Sequence, residues 1–169
     1  MRGELDHRSV LALRQLRCHT VPLTTGPLRA ALVRICENPV VVAAAADELG
    51  ARCQPLVCIG GQPSAAGWRL LGLLAAGGAE FGYHGDFDWG GVRIANAVRH
   101  RVTWRPWRYD HVAYQAAVSA AHPLAALGGL VGESAATPWD PALATAMRHL
   151  NLRVEEELTL DDLLQDLSP

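Results

Sequence analysis

The fold turns on the stretch "LVRICENPVVVAAAADELG", Leu32 to Gly50. Leu32 to Cys36 is a short apolar run with a β-branched bias, and it reads as a strand. Asn38 suits a helix N-cap and Pro39 the first helical turn. "VVVAAAADEL" then continues as a helix to Gly50, a natural stop. The same order recurs downstream. "PLVCI" reads as a strand, "GGQP" as a turn, and Pro63 opens a helix through "SAAGWRLLGLLAA" to Gly77 and Gly78. "AEFGYH" reads as a strand, "GDFDWGG" as a turn and "VRIANAVRH" as a helix. "RVTWRPW" makes a fourth strand, after which Asp110 caps the helix "HVAYQAAVSAA".

Strands alternating with helices imply βαβ units, so the expected class is α/β with a small, mainly parallel sheet flanked by helices. Right-handed crossovers bring every strand-to-helix turn to the carboxyl edge of such a sheet, where sites form. Glu37, the Gly60–Pro63 turn and the pair Asp86 and Asp88 all fall at these turns. Residues far apart in sequence therefore share one expected pocket. Residues 1–30 form a lead-in whose "SVLALRQLR" fits strand or helix equally, residues 31–120 the core, and residues 121–169 a C-terminal extension. In the extension, residues 120–139 read as a loop rich in Gly, Ala and Pro. "DPALATAMRHL" reads as a helix capped by Asp140, and "NLRVEE" as a last strand. "TLDDLLQDL" reads as a terminal helix with Thr159 and Asp162 in capping-box spacing.

The chain has 169 residues, half of them apolar, enough for one domain with a sizeable core. No apolar run reaches the roughly 18 residues that span a bilayer. The start, "MRGELDHRSV", is too polar for a secretory signal, so a cytoplasmic placement away from membranes is expected. Cys18, Cys36, Cys53 and Cys58 show no metal-ligand spacing and read as reduced, mostly buried thiols. All fifteen basic residues are arginine. Without lysine the chain cannot be a Walker A phosphate binder, a Schiff-base enzyme or a protein kinase. The net charge of −2 hides an uneven spread. Six Arg against Glu4 and Asp6 give residues 1–35 a charge of +4, and five Arg against Asp110 give residues 89–111 the same. Eight acids against Arg148 and Arg153 give residues 133–169 a charge of −6.

Asp86 and Asp88 have two readings. One is turn and capping chemistry. The other is a cation site: Phe87 and Trp89 interleave the acids with large apolar groups, and Gly85, Gly90 and Gly91 allow close backbone approach. Three carboxylates at one sheet edge, Glu37 with the pair, repel unless a cation neutralises them. Hard oxygen ligands suit Mg²⁺ or Mn²⁺. An EF-hand starting at Asp86 would need Glu where Ala97 stands. A haloacid-dehalogenase motif would need Thr where Gly90 stands, and a lysine. A D-x-D glycosyltransferase stays open.

A Glu ending one strand and a D-x-D ending a later one resemble a Toprim domain, the metal-binding fold of topoisomerases, primases and some nucleases. "CENPVVVAAAADELG", "CIGGQPSAAGWRLLGLLAAGG" and "YHGDFDWGGVRIA" resemble the Toprim-like C-terminal domain of a bacterial family. That family is related to JetD, the nuclease subunit of Wadjet anti-plasmid systems, and more distantly to topoisomerase VI. "TPWDPALATAM" and "VEEELTLDDLLQDL" are similar to its ending. The resemblance implies that Glu37 is a metal ligand or general acid/base and that Asp86 and Asp88 hold Mg²⁺. It implies hydrolysis of DNA phosphodiesters by a nuclease module of a larger defence-related protein, with a DNA-binding part or partner subunits beyond this chain. Topoisomerase VI relatives use a tyrosine on a separate domain, and Tyr83, Tyr109 and Tyr114 do not lie where it would. The alternative is a non-catalytic module for assembly or ligand binding.

Candidate phosphate or DNA contacts are Gly61, Gln62 and Ser64 at a helix N-terminus, with Arg93, Arg105 and Arg108. "RHRVTWRPWRYDH", Arg99 to His111, presents either a stacking surface or tryptophans that pack inward while the arginines stay solvated. His84 is a candidate acid/base or supporting group beside the acids, or a structural hydrogen bonder. Glu155, Glu156 and Glu157 read as a solvated run from which one side chain could point to the site.

Overall fold

Four strands, all paired in parallel, run in the order β2-β1-β3-β4 in the computed structural model. The structure describes residues 31–121 and 127–169; the lead-in 1–30, with "SVLALRQLR" and Cys18, and residues 122–126 lie outside the described residues. The strands are β1 (Leu32–Cys36), β2 (Leu56–Cys58), β3 (Glu80–Tyr83) and β4 (Arg105–Pro106). The helices are α1 (Pro39–Glu48), α2 (Ala65–Ala76), α3 (Trp89–Arg99), α4 (His111–Ala120), α5 (Pro141–Leu150) and α6 (Leu160–Leu167). The expected α/β class with a small parallel sheet is the one observed.

Caps set the helix starts. Asn38, Ser64, Asp88, Asp110 and Asp140 each accept a backbone N–H from the first turn that follows. The second helix starts from Ser64 rather than Pro63. Thr159 precedes α6 but makes no capping bond, because its hydroxyl faces His84 and the Glu156 carbonyl instead. Two expected strands shrink. "RVTWRPW" contributes only Arg105–Pro106, since Pro106 has no N–H and Arg108 has a positive φ of 47°. "NLRVEE" forms only isolated antiparallel bridges, Leu152 to Gly129 and Val154 to Phe87.

The sheet separates two apolar layers. On one side Val33, Ile35, Phe81 and Tyr83 pack with α2, α3, α4 and α5. On the other, Cys36 and Trp107 pack with Val41, Val42 and Ala45 of α1 and Leu163, Leu164 and Leu167 of α6. The extension therefore closes both layers: α5 lies in one and α6 in the other. Arg108 fastens α6 with two bonds to Asp166, at 2.7 and 2.8 Å, and an ion pair to Asp162. The Trp107 indole N–H donates to the same Asp166.

Leu163 is fully buried between α6 and the sheet. Truncating it to alanine leaves a cavity, and Leu163→Ala is expected to cost about 2–5 kcal/mol, read as a lower urea midpoint.

Candidate metal centre

The turns after β1 and β3 adjoin because the two strands are hydrogen-bonded neighbours. Glu37 follows β1 directly and is 6% exposed. Its Oε1 accepts the Tyr83 hydroxyl at 2.6 Å. Asp86 Oδ1 accepts the backbone N–H of Glu156 at 2.8 Å, and its carbonyl accepts the Tyr109 hydroxyl at 2.9 Å. Asp88 Oδ1 accepts the Gly91 N–H at 2.7 Å as the N-cap of α3. The capping reading of Asp88 is thus realised with one oxygen, which leaves Oδ2 for another partner.

Glycine makes the close approach feasible. A Cβ at Gly85 would overlap the Glu37 carboxylate, and one at Gly91 would overlap the Asp86 carbonyl. Close packing brings acid against acid without a counter-charge. Among the described residues no ion pair reaches Glu37, Asp86, Asp88 or Glu156. Burial pushes the Glu37 carboxyl up to about 8; the Tyr83 hydroxyl opposes this, while the Asp86 and Asp88 charges add to it. Burial also raises Asp86, against the pull of the Glu156 N–H and with the push of Asp88.

Glu156 is the one side chain of the Glu155–Glu157 run, read as solvated but with one member able to point to the site, that does turn inward. It is 1% exposed. Its carboxylate accepts the N–H groups of Glu37 and Asn38, and its own N–H holds Asp86. Burial raises it well above the usual carboxylate range despite these donors. A signal was present. Leu152, Val154 and Glu156 alternate inward while Arg153, Glu155 and Glu157 are exposed, the period of an extended chain. Glu157 supports the same turn by accepting from Asn38 Nδ2 at 2.6 Å.

Most of the other candidates have partners of their own. Both ring nitrogens of His84 are bonded, Nδ1 to the Trp107 carbonyl and Nε2 to Thr159 Oγ1. A carbonyl requires a donor, so the proton sits on Nδ1. Burial lowers His84 to about 4 and keeps it neutral. The structural reading of this histidine is the one the geometry supports. The Gly61 N–H donates to the Glu37 carbonyl at 3.2 Å, tying the β2 turn to the site. Ser64 caps α2 and Gln62 is exposed. Arg93 donates to the Glu133 carbonyl, Arg105 pairs with Glu80, and Arg108 pairs with α6. Trp104, Trp107 and Tyr109 are buried, so the aromatic run packs inward rather than forming a stacking surface.

A family model described as "Protein of unknown function C-terminus (DUF2399)" matches residues 9–167. The chain belongs to this family. No curated protein and no solved structure matches.

Four carboxylates of this family member stand at one edge, with no basic group paired to them among the described residues; oxygen donors are the ligand type that hard divalent cations take. Among the described residues no three His, Cys, Asp or Glu side chains already stand in ligand geometry. The bonds to Tyr83, Glu156 and Gly91 each use one oxygen, of Glu37, Asp86 and Asp88 respectively.

Two outcomes test this geometry. Glu37 is raised from 4.5 to about 8, so its neutral form contributes stability that is full below about pH 4.5 and lost as pH rises through about 8. Glu37→Gln is therefore expected to match wild type near pH 5 and to be the more stable protein by about pH 9, by melting temperature. Gly85→Ala is expected to cost about 1–3 kcal/mol through overpacking, and in a double-mutant cycle Glu37→Ala should relieve that cost.

Proposed function

We propose that this domain is the Mg²⁺- or Mn²⁺-dependent catalytic module of a Toprim-type nuclease acting on DNA phosphodiesters. Its relatives would be the Wadjet nuclease JetD and, distantly, topoisomerase VI. The observation that carries the reading is the convergence of Glu37, Asp86, Asp88 and Glu156 at the carboxyl edge, with no basic partner among the described residues. Asp86 and Asp88 would hold the cation, with Glu37 as further ligand or general acid/base. Bound there, it would supply positive charge to the scissile phosphate and the departing oxygen.

The chain's own residues favour hydrolysis by water. All three tyrosines are buried, and their hydroxyls are bonded to Glu37, the Asp86 carbonyl and the Leu152 carbonyl. None is free to attack a phosphodiester. Glu37 keeps a proton near neutral pH and can exchange it with the Tyr83 hydroxyl or with solvent. We read the protein as cytoplasmic, with a DNA-binding part or partner subunits adding to the DNA contacts proposed for Arg93, Arg105 and Arg108.

Calorimetric Mn²⁺ titration checks the site. Asp86→Asn and Asp88→Asn are expected to weaken binding by about 10–100-fold; Asn at position 88 still caps α3. Because Glu37 must shed its proton, wild-type affinity should rise with pH through about 8. Unchanged affinity in both variants would remove the site. Supercoiled plasmid with Mn²⁺ checks the activity: Glu37→Gln should abolish cleavage. Metal binding without cleavage by the full-length protein would point to the assembly module instead.

A further inference from the structure

Cys36 and Cys58 are Cα partners across the parallel β1–β2 pair. Both belong to the layer beneath α1 and α6. Neighbouring strands lie about 4.8 Å apart. That spacing falls inside the roughly 4.4–6.8 Å Cα separation that a disulfide spans. Both thiols are free; Cys36 is buried and Cys58 partly exposed.

Each thiol also touches the turn that carries the acids. The Cys58 S–H donates to the Glu37 carbonyl at 3.4 Å and the Cys36 S–H to the Asn38 carbonyl at 3.7 Å. The pair is asymmetric. The more accessible sulfur, Cys58, meets an oxidant from solvent first, and the buried Cys36 is its neighbour across the strand pair.

We propose that Cys36 and Cys58 are a peroxide-sensitive dithiol that closes into a disulfide between β1 and β2, directly beneath the Glu37 turn. The Cys58 sulfur attacks one oxygen of a hydroperoxide, breaking the O–O bond and forming a sulfenic acid, while the other oxygen leaves with the thiol proton, as water when the oxidant is hydrogen peroxide. Cys36 sulfur then displaces the sulfenic hydroxyl, which leaves as water with the Cys36 proton. In total, two thiols and one hydrogen peroxide become one disulfide and two waters. The link removes both S–H donors from the Glu37 and Asn38 carbonyls. It stands independently of metal binding, since both sulfurs and their bonds are set by the sheet register.

The test is peptide mapping of the wild-type chain after hydrogen peroxide treatment, metal-free. Cleavage after Arg34, Arg52 and Arg69 places Cys36 on one fragment and Cys58, with Cys53, on the next. Expected are one cross-linked species joining Cys36 to Cys58, its complete reversal by dithiothreitol, and a dimedone-trapped sulfenic acid at Cys58 in Cys36→Ser. Cys36 recovered as a free thiol once Cys58 has oxidised to sulfinic acid would overturn the proposal. A link of Cys58 to Cys53 or Cys18 in its place would do the same.

Discussion

The Glu156 carboxylate receives the Glu37 and Asn38 N–H groups while its own N–H holds Asp86. One residue of the C-terminal extension thereby bonds to both of the turns that the β1–β3 pairing sets side by side. The neighbouring segment reinforces it. Val154 bridges Phe87, Glu157 accepts from Asn38, and Thr159 meets His84. The extension is therefore part of the site as much as of the core.

Electrostatics give the arrangement its cost. Buried carboxylates without a counter-ion are disfavoured when charged, and the chain answers with protons, tyrosine hydroxyls and backbone N–H donors. Glu37 takes the proton, and its acceptor oxygen takes Tyr83. Tyr83 is held in turn by a stack on Trp104 and an edge contact with Tyr109. The aromatic layer beneath the acids thus orients the hydroxyls that satisfy them. Burying these carboxylates together costs local stability that the donors only partly offset.

Much of the fold was legible because capping and periodicity are local. Asn38–Pro39, Asp110 and Asp140–Pro141 each announced a helix within a few residues. Asp88 showed the limit of such signals, since its place as an N-cap and its place at the sheet edge use the same residue. "RVTWRPW" misled because aromatic and β-branched residues also fill a core from an irregular edge; Trp104 and Trp107 are buried whether or not the segment pairs. His84 could not be assigned from sequence because both its partners, Trp107 and Thr159, are distant in the chain.

Chain order was enough to set the α/β class, the helix caps, and the placing of Glu37, Asp86 and Asp88 on strand-to-helix turns. These depend on side-chain period and short-range hydrogen bonds, which neighbouring residues encode directly. Packing in three dimensions was needed to make Glu156 complete the cluster, to turn Arg108 toward α6 rather than solvent, and to lay Cys36 beside Cys58. Each joins segments that only sheet order and packing bring into contact, and no local pattern records which distant partner a buried polar group will find.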